Sequence, residues 1–177
     1  MRRQNYLYRH WIVVSLVALA ICAQCETLLR MEGETLSNRP ISLPDDAHGK
    51  IALLVIGFSR KGGDATGAWR LRFKKDFGAD PRYAVYPIAV LEDAPRLVRG
   101  MIKSGMRENT PKDEQDNFVI LVHGEKDLKR VVEYSAPDDA YLLLIDRDGQ
   151  IRWRGHGLFR EDAYMPLRDA ASKLGSQ

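Results

Sequence analysis

Two cysteines, Cys22 and Cys25, stand at the C-x-x-C spacing. That spacing suits a redox pair when it opens a helix after a strand. Here it ends an apolar run near the N-terminus instead. A second chemical candidate is the glycine-rich stretch Ser59-Arg-Lys-Gly-Gly-Asp-Ala-Thr-Gly67, which follows a strand-like run. Gly57 and Gly62 have the separation of P-loop glycines, but Gly63-Asp64 replaces the Lys-Ser/Thr that would reach phosphate and magnesium. Arg60 and Lys61 remain as groups that would draw an anion toward a helix N-terminus. The plainer reading is a tight turn with Asp64 or Thr66 capping the helix that follows. His123 and His156 are each followed by glycine near a strand end, but no third group completes a nucleophile–base arrangement. Asp45, Asp46 and His48 lack a further ligand at a usable metal spacing. The sequence therefore predicts no cofactor, no metal and no assigned catalytic residue.

The elements that must position these groups follow from the hydrophobic pattern. Ile51-Ala-Leu-Leu-Val-Ile-Gly-Phe58 is a short apolar run, which predicts a strand buried on both faces. Trp69, Phe73 and Phe77 then recur about one helical turn apart, predicting an amphipathic helix from about Ala68. Loop 59–67 thus falls at the carboxyl end of a strand, where open α/β sheets place their chemistry. Tyr83 to Leu91 reads as a second strand. A helix is expected from Glu92 to Pro95 onward, with an apolar stripe of Leu97, Met101 and Ile102. Asn117 to His123 is a third strand and Lys126 to Glu133 a short helix. Tyr141 to Arg154 reads as a hairpin turning at Arg147-Asp-Gly149, and a last helix runs from about Glu161 to Leu174. Between Thr35 and Leu43 the pattern allows one or two short edge strands.

The chain has 177 residues, a net charge of +3 and 45% hydrophobic residues, which fits one globular domain. Part of the basic excess lies in the first ten residues, so nucleic-acid binding is not predicted. Met1 to His10 is a basic segment, and Trp11 to Ala23 is an uncharged apolar run too short for a comfortable bilayer span. Together they predict a signal peptide over residues 1–23 and export to the periplasm or cell envelope. The alternative is an uncleaved anchor that keeps the protein membrane-attached through its N-terminus. Cys22 and Cys25 are then candidates for lipidation or for an intermolecular thiol, and the folded part holds no internal disulfide. Residues 24–48 form an N-terminal extension and 49–177 the main domain.

The order β-α-β-α-β-α-β-β-α predicts a mixed α/β sheet with helices on both faces. Leu43-Pro44, Gly49 to Ser59 and Leu144-Ile-Asp-Arg-Asp-Gly-Gln-Ile151 resemble the thioredoxin superfamily, in its peroxiredoxin-like branch. Trp69 to Phe73, Val90 to Asp93 leading to Arg96 and Arg99, and Ile151-Arg-Trp-Arg-Gly-His-Gly157 are most similar to the mitochondrial ATP synthase assembly factor family and its bacterial relatives. The resemblance implies a thioredoxin-like fold and a role in binding other proteins during assembly. Thioredoxin chemistry needs a thiolate at the helix N-terminus. The matching stretch here offers only Ser59 and Thr66. The superfamily's cis-proline position falls near Ala140, with Pro137 a few residues early. A redox-inactive binding protein is therefore expected, with Ser59, Arg60, Lys61, Asp64, Trp153, Arg154 and His156 as interaction candidates. The alternative is an enzyme using Arg60, Lys61, Asp64 and His156 in the former active-site cleft.

Overall fold

A computed structural model describes residues 26–177. The signal-peptide reading and both cysteines, Cys22 and Cys25, lie outside the described residues. The strands are β1 (Glu26–Thr27), β2 (Met31–Thr35), β3 (Pro40–Leu43), β4 (Ile51–Gly57), β5 (Tyr83–Val90), β6 (Val119–Leu121), β7 (Ala140–Ile145) and β8 (Gln150–Gly157). The helices are α1 (Arg60–Phe77), α2 (Arg96–Glu108), α3 (Glu125–Val131) and α4 (Glu161–Gly175). The strands form one sheet in the order β1-β8-β7-β4-β5-β6-β2-β3. β4 runs parallel to β5 and antiparallel to β7, so the sheet is mixed.

β4 is buried along its whole length, as its unbroken apolar composition predicts. Its alternating side chains feed two cores. Ile51, Leu53 and Val55 meet Trp69 and Phe73 of α1 and Tyr164, Leu167 and Ala171 of α4. Ala52, Leu54 and Ile56 meet Leu128 of α3 and, from the N-terminal strands, Met31, Ile41 and Leu43. Each fully buried Leu or Ile here is worth roughly 1.5–3 kcal/mol relative to exposure. β4 is therefore the strand on which both layers depend. At the hairpin between β7 and β8, the Asp146 carboxylate accepts the N–H groups of Asp148 and Gln150. Gly149 turns the chain at φ 75°, and a Cβ there would lie 2.8 Å from the ring of Pro44.

Three expectations need correction. Residues 60–67 are not a loop: α1 begins at Arg60, because Ser59 rather than Asp64 or Thr66 caps it. The Ser59 hydroxyl oxygen accepts the Gly62 N–H at 3.0 Å, satisfying one of the helix's orphan donors. The glycines that suggested a turn are helical residues.

The hairpin does not end at Arg154: β8 continues to Gly157, so residues 153–157 are strand.

Two of the three residues in the apolar stripe of α2 do not pack: Leu97 is 96% exposed and Met101 75%, while Ile102 is half-buried. The helix meets the body through Met106, packed against the cluster of Leu36, Ala89 and Ile120, and through its polar side chains. Arg99 donates to the carbonyls of Glu92 and Ala94, Lys103 pairs with Glu34 at 2.7 Å, and Arg107 donates to the Leu36 carbonyl.

Candidate functional site

The carboxyl end of β4 and the amino end of β7 lie side by side, with Gly57 opposite Ala140 and Ala140 opposite Gly157. This register brings three pieces of chain to one end of the sheet: the start of α1, the segment 135–139 and the end of β8. α1 can seat there because residue 62 has no side chain. A Cβ on Gly62 would lie 2.9 Å from the Asp139 carbonyl oxygen and 3.0 Å from that of Pro137. Beside this contact, the Ser59 hydroxyl lies 3.3 Å from the Asp138 carboxylate and the Lys61 ammonium 3.4 Å from it. Across the segment, His156 Nδ1 lies 2.8 Å from the Asp139 carboxylate.

An aromatic row stands under these polar groups. The His156 ring stacks on Tyr141 at 5.6 Å between centroids, and Tyr141 stacks on Tyr134 at 5.4 Å. Phe58 meets both tyrosines edge-on. The Tyr141 hydroxyl oxygen accepts the N–H groups of Ser135 and Ala136 and donates to the Ala136 carbonyl, which ties segment 135–139 to the sheet. At the row's other end the Lys129 ammonium lies 4.6 Å from the Tyr134 ring centroid and 5.6 Å from that of Phe58. Its hydrogen bond to buried Glu125 pushes the Lys129 pKa up. The Glu92 carboxylate accepts the Glu125 N–H at 2.7 Å, at the start of α3.

Of the residues named from sequence, Ser59, Lys61 and His156 meet around Asp138 and Asp139. Arg60 and Asp64 lie exposed on the first turns of α1. Arg154 is on the same face of β8 as His156, but it is engaged structurally, donating to the Val131 carbonyl and pairing with Glu26. Trp153 points to the opposite face, half-buried against the core shared with α1 and α4. Trp69 is fully buried there too, its indole N–H donating to the Gly157 carbonyl at 3.1 Å. The aromatic row, Lys129 and the acidic pair were missed by sequence reasoning. Asp138-Asp139 directly ahead of a buried strand was the available signal; the stacking of Tyr134, Tyr141 and His156 had none, because it joins residues from three elements.

Among the described residues, no three His, Cys, Asp or Glu side chains cluster as a metal site. The residue ahead of β7 is Asp139, and among the described residues the cis peptide bond is Leu43–Pro44, beside the β7–β8 turn at the other end of the sheet. Ser59 stands at the helix start beside this end of the sheet, where a thiolate would act in a thioredoxin.

Residues 24–174 match the family model described as ATP10 protein. The chain belongs to the ATP10 protein family. No curated protein matches it in sequence. Solved structures establish the fold of this ATP10-family chain as thioredoxin-like. A thiol:disulfide interchange protein DsbE from Chlorobium tepidum superposes with a TM-score of 0.58 at 15% identity, covering 84% of this chain and 95% of that one. BsSco, a member of the Sco family of cytochrome c oxidase assembly proteins, gives 0.56 at 13% identity, covering 86% and 94%. The exposed lipoprotein thioredoxin Etrx1 of Streptococcus pneumoniae strain TIGR4 gives 0.53 at 16% identity, covering 81% and 99%.

Proposed function

We propose that this ATP10-family protein is a redox-inactive thioredoxin-like domain of the cell envelope that binds other proteins in an assembly role. The carrying observation is Ser59. It caps α1 with its hydroxyl at the sheet end where the fold would place a thiolate, and an alcohol cannot form the mixed disulfide on which thiol exchange depends. Family membership and the fold shared with a Sco assembly protein support the assembly role. The basic segment and apolar run of residues 1–23 support export, with that stretch removed as a signal peptide and 24–48 remaining as an N-terminal extension. Among the described residues, no helix is long and apolar enough to cross a membrane.

The binding surface in this reading is the end of the sheet carrying Arg60, Lys61, Asp64 and His156, with Ser59 and the Asp138–Asp139 segment between them. Arg60 and Lys61 project from the helix start, Lys61 being 79% exposed even while paired with Asp138. A rim charge of this kind steers a partner more than it holds one. Arg154 and Trp153 fit this surface less well, since one is tied to Val131 and Glu26 and the other packs into the core.

The test uses the protein as recovered from its native envelope fraction. Insulin reduction and peroxide consumption should stay at background. Partners captured by the wild type and identified by mass spectrometry should be lost from Arg60→Glu/Lys61→Glu while the circular dichroism spectrum is unchanged. Turnover above background would end the redox-inactive reading, and undiminished capture by the folded double variant would move the surface elsewhere. Intact mass tests export independently: a full-length species would favour the anchor.

A further inference from the structure

The outer face of α2 carries Leu97 and Met101, both well exposed, with Val98 exposed at its margin. Single exposed apolar side chains are ordinary, but these adjoin on one helix and make a patch. The helix cannot roll to bury them. Its inner face already holds Met106 against Leu36, Ala89 and Ile120, and rolling would break the bonds of Arg99, Lys103 and Arg107 to the body. The fold therefore holds the stripe outward.

The face also has relief. Gly100 and Ser104, four residues apart on one side, leave a hollow beside the Leu97–Met101 ridge, and a Cβ at Gly100 would meet nothing within 4 Å. A ridge beside a hollow fits a second helix. The charges at the two ends narrow the choice. Arg96 is exposed at the amino end of α2 and Glu108 at its carboxyl end, and among the described residues neither side chain has a hydrogen-bond or ion-pair partner. Each stands at the wrong end for the helix dipole, which favours acidic groups at the amino end and basic groups at the carboxyl end. An antiparallel helix carrying the same two charges at the same places would correct both ends at once. α2 itself is such a helix.

We propose that α2 pairs antiparallel with α2 of a second copy of this chain, across a two-fold axis. Opposing Arg96 to the second copy's Glu108 sets the register. Gly100 then faces Ser104, the two Met101 side chains meet beside the axis, and each Leu97 seats between the other copy's Ser104 and Glu108. Such a contact uses one patch on both copies and closes on itself. α2 has 13 residues and is about 20 Å long, so the patch is smaller than the roughly 800 Å² per copy of a stable interface. The dimer is accordingly weak and exchanges with monomer. It depends neither on the redox-inactive reading nor on the surface at Ser59.

The test is sedimentation equilibrium of the purified chain from micromolar to millimolar concentration, with circular dichroism as the check on folding. The wild-type mass should rise with concentration toward that of a dimer. Leu97→Asp should weaken self-association about a hundredfold, since each copy loses the burial of a leucine. Arg96→Glu and Glu108→Arg should each weaken it about tenfold, because two symmetry-related pairs turn from attraction to repulsion. Mixed together, those two variants should associate again, as every facing pair is then of opposite charge; association driven from elsewhere in the chain would show no such restoration. In a Cys22→Ser/Cys25→Ser background, Met101→Cys should cross-link to its own copy under mild oxidation. Leu97→Cys should not, its two positions lying about 15 Å apart along the helices. A mass that stays monomeric at the highest concentration overturns the proposal, and Leu97-dependent flotation with vesicles would then assign the face to a lipid surface. Association that Leu97→Asp leaves unchanged overturns it as well.

Discussion

Replacing one glycine of α1 by alanine should destabilise the protein, and replacing its neighbour should stabilise it. Gly62 and Gly63 are consecutive residues of the same helix, and each alanine gains about 0.5–1 kcal/mol from reduced unfolded-state freedom and better helix propensity. At Gly63 a Cβ meets nothing within 4 Å, so that gain should appear undiminished. At Gly62 the Cβ would stand 2.9 Å and 3.0 Å from two backbone carbonyl oxygens, and a backbone carbonyl cannot rotate out of the way as a side chain would. Either α1 lifts from segment 137–139 or the segment shifts, and overpacking of this kind costs about 1–3 kcal/mol. The net change at Gly62 is then a loss of about 1 kcal/mol, and the two variants should differ by about 2 kcal/mol. Urea denaturation of the two variants and the wild type, with m-values compared, measures this directly. In a thermal scan each kilocalorie corresponds to roughly 2–4 °C for a chain of this size. Equal stabilisation by Gly62→Ala and Gly63→Ala would refute the seating of α1 on residues 137–139, and with it the geometry of the proposed surface.

Two further predictions concern buried and paired groups. Tyr141→Phe should cost about 1–3 kcal/mol, because the N–H groups of Ser135 and Ala136 lose their acceptor, and hydrogen exchange should speed up at those two amides first. The second concerns acid. Arg72 bonds both Glu161 and Asp76. Burial pushes the Asp76 carboxyl up, but hydrogen bonds from Arg72 and Tyr164 outweigh it and hold it low; the Arg72 bond likewise holds Glu161 low. Both folded values lie below the unfolded ones, about 3.9 for Asp and 4.3 for Glu, so this stabilisation is complete above those values and lost as pH falls through the folded ones. Arg72→Gln should therefore flatten the acid limb of the urea midpoint below about pH 4; an unchanged limb would assign acid sensitivity to other groups.

The order of elements from β4 to α4 was legible because its runs are unmixed: Ile51 to Gly57 has no polar residue, and Arg147-Asp-Gly149 is a turn whose residues admit little else. Legibility failed where a local preference was outvoted by a contact remote in sequence. Gly62 and Gly63 read as a turn because glycine weakens helices; they are helical because Ser59 caps the first turn, and at position 62 only glycine fits against Pro137 and Asp139. Leu97 and Met101 have the spacing of a core-facing stripe, yet Arg99, Lys103 and Arg107 turn the other side of α2 inward through bonds to Glu92, Ala94, Glu34 and Leu36. Periodicity reports a face but not what lies opposite it. The same limit applied to the site: Ser59, Lys61 and His156 could be named singly, but their meeting at Asp138 and Asp139 depends on the Gly57–Ala140–Gly157 register.

β1 is one edge strand of the sheet and β2 lies one strand in from the other edge, yet only Leu28, Leu29 and Arg30 separate them. Four residue steps reach at most about 14 Å, so at this end the sheet must curl until β1 comes close to β2. Leu28 is buried in the gap, and its N–H donates to the Gly149 carbonyl at 2.9 Å. In mechanical terms the segment is a buckle. A pull applied at Glu26 would first peel the two residue pairs joining β1 to β8, then draw on a strap that runs from one edge to β2 on the other side of the sheet. Tension applied at Glu26 enters at the curled end of the sheet, leaving the Ser59–His156 end outside the direct line of force.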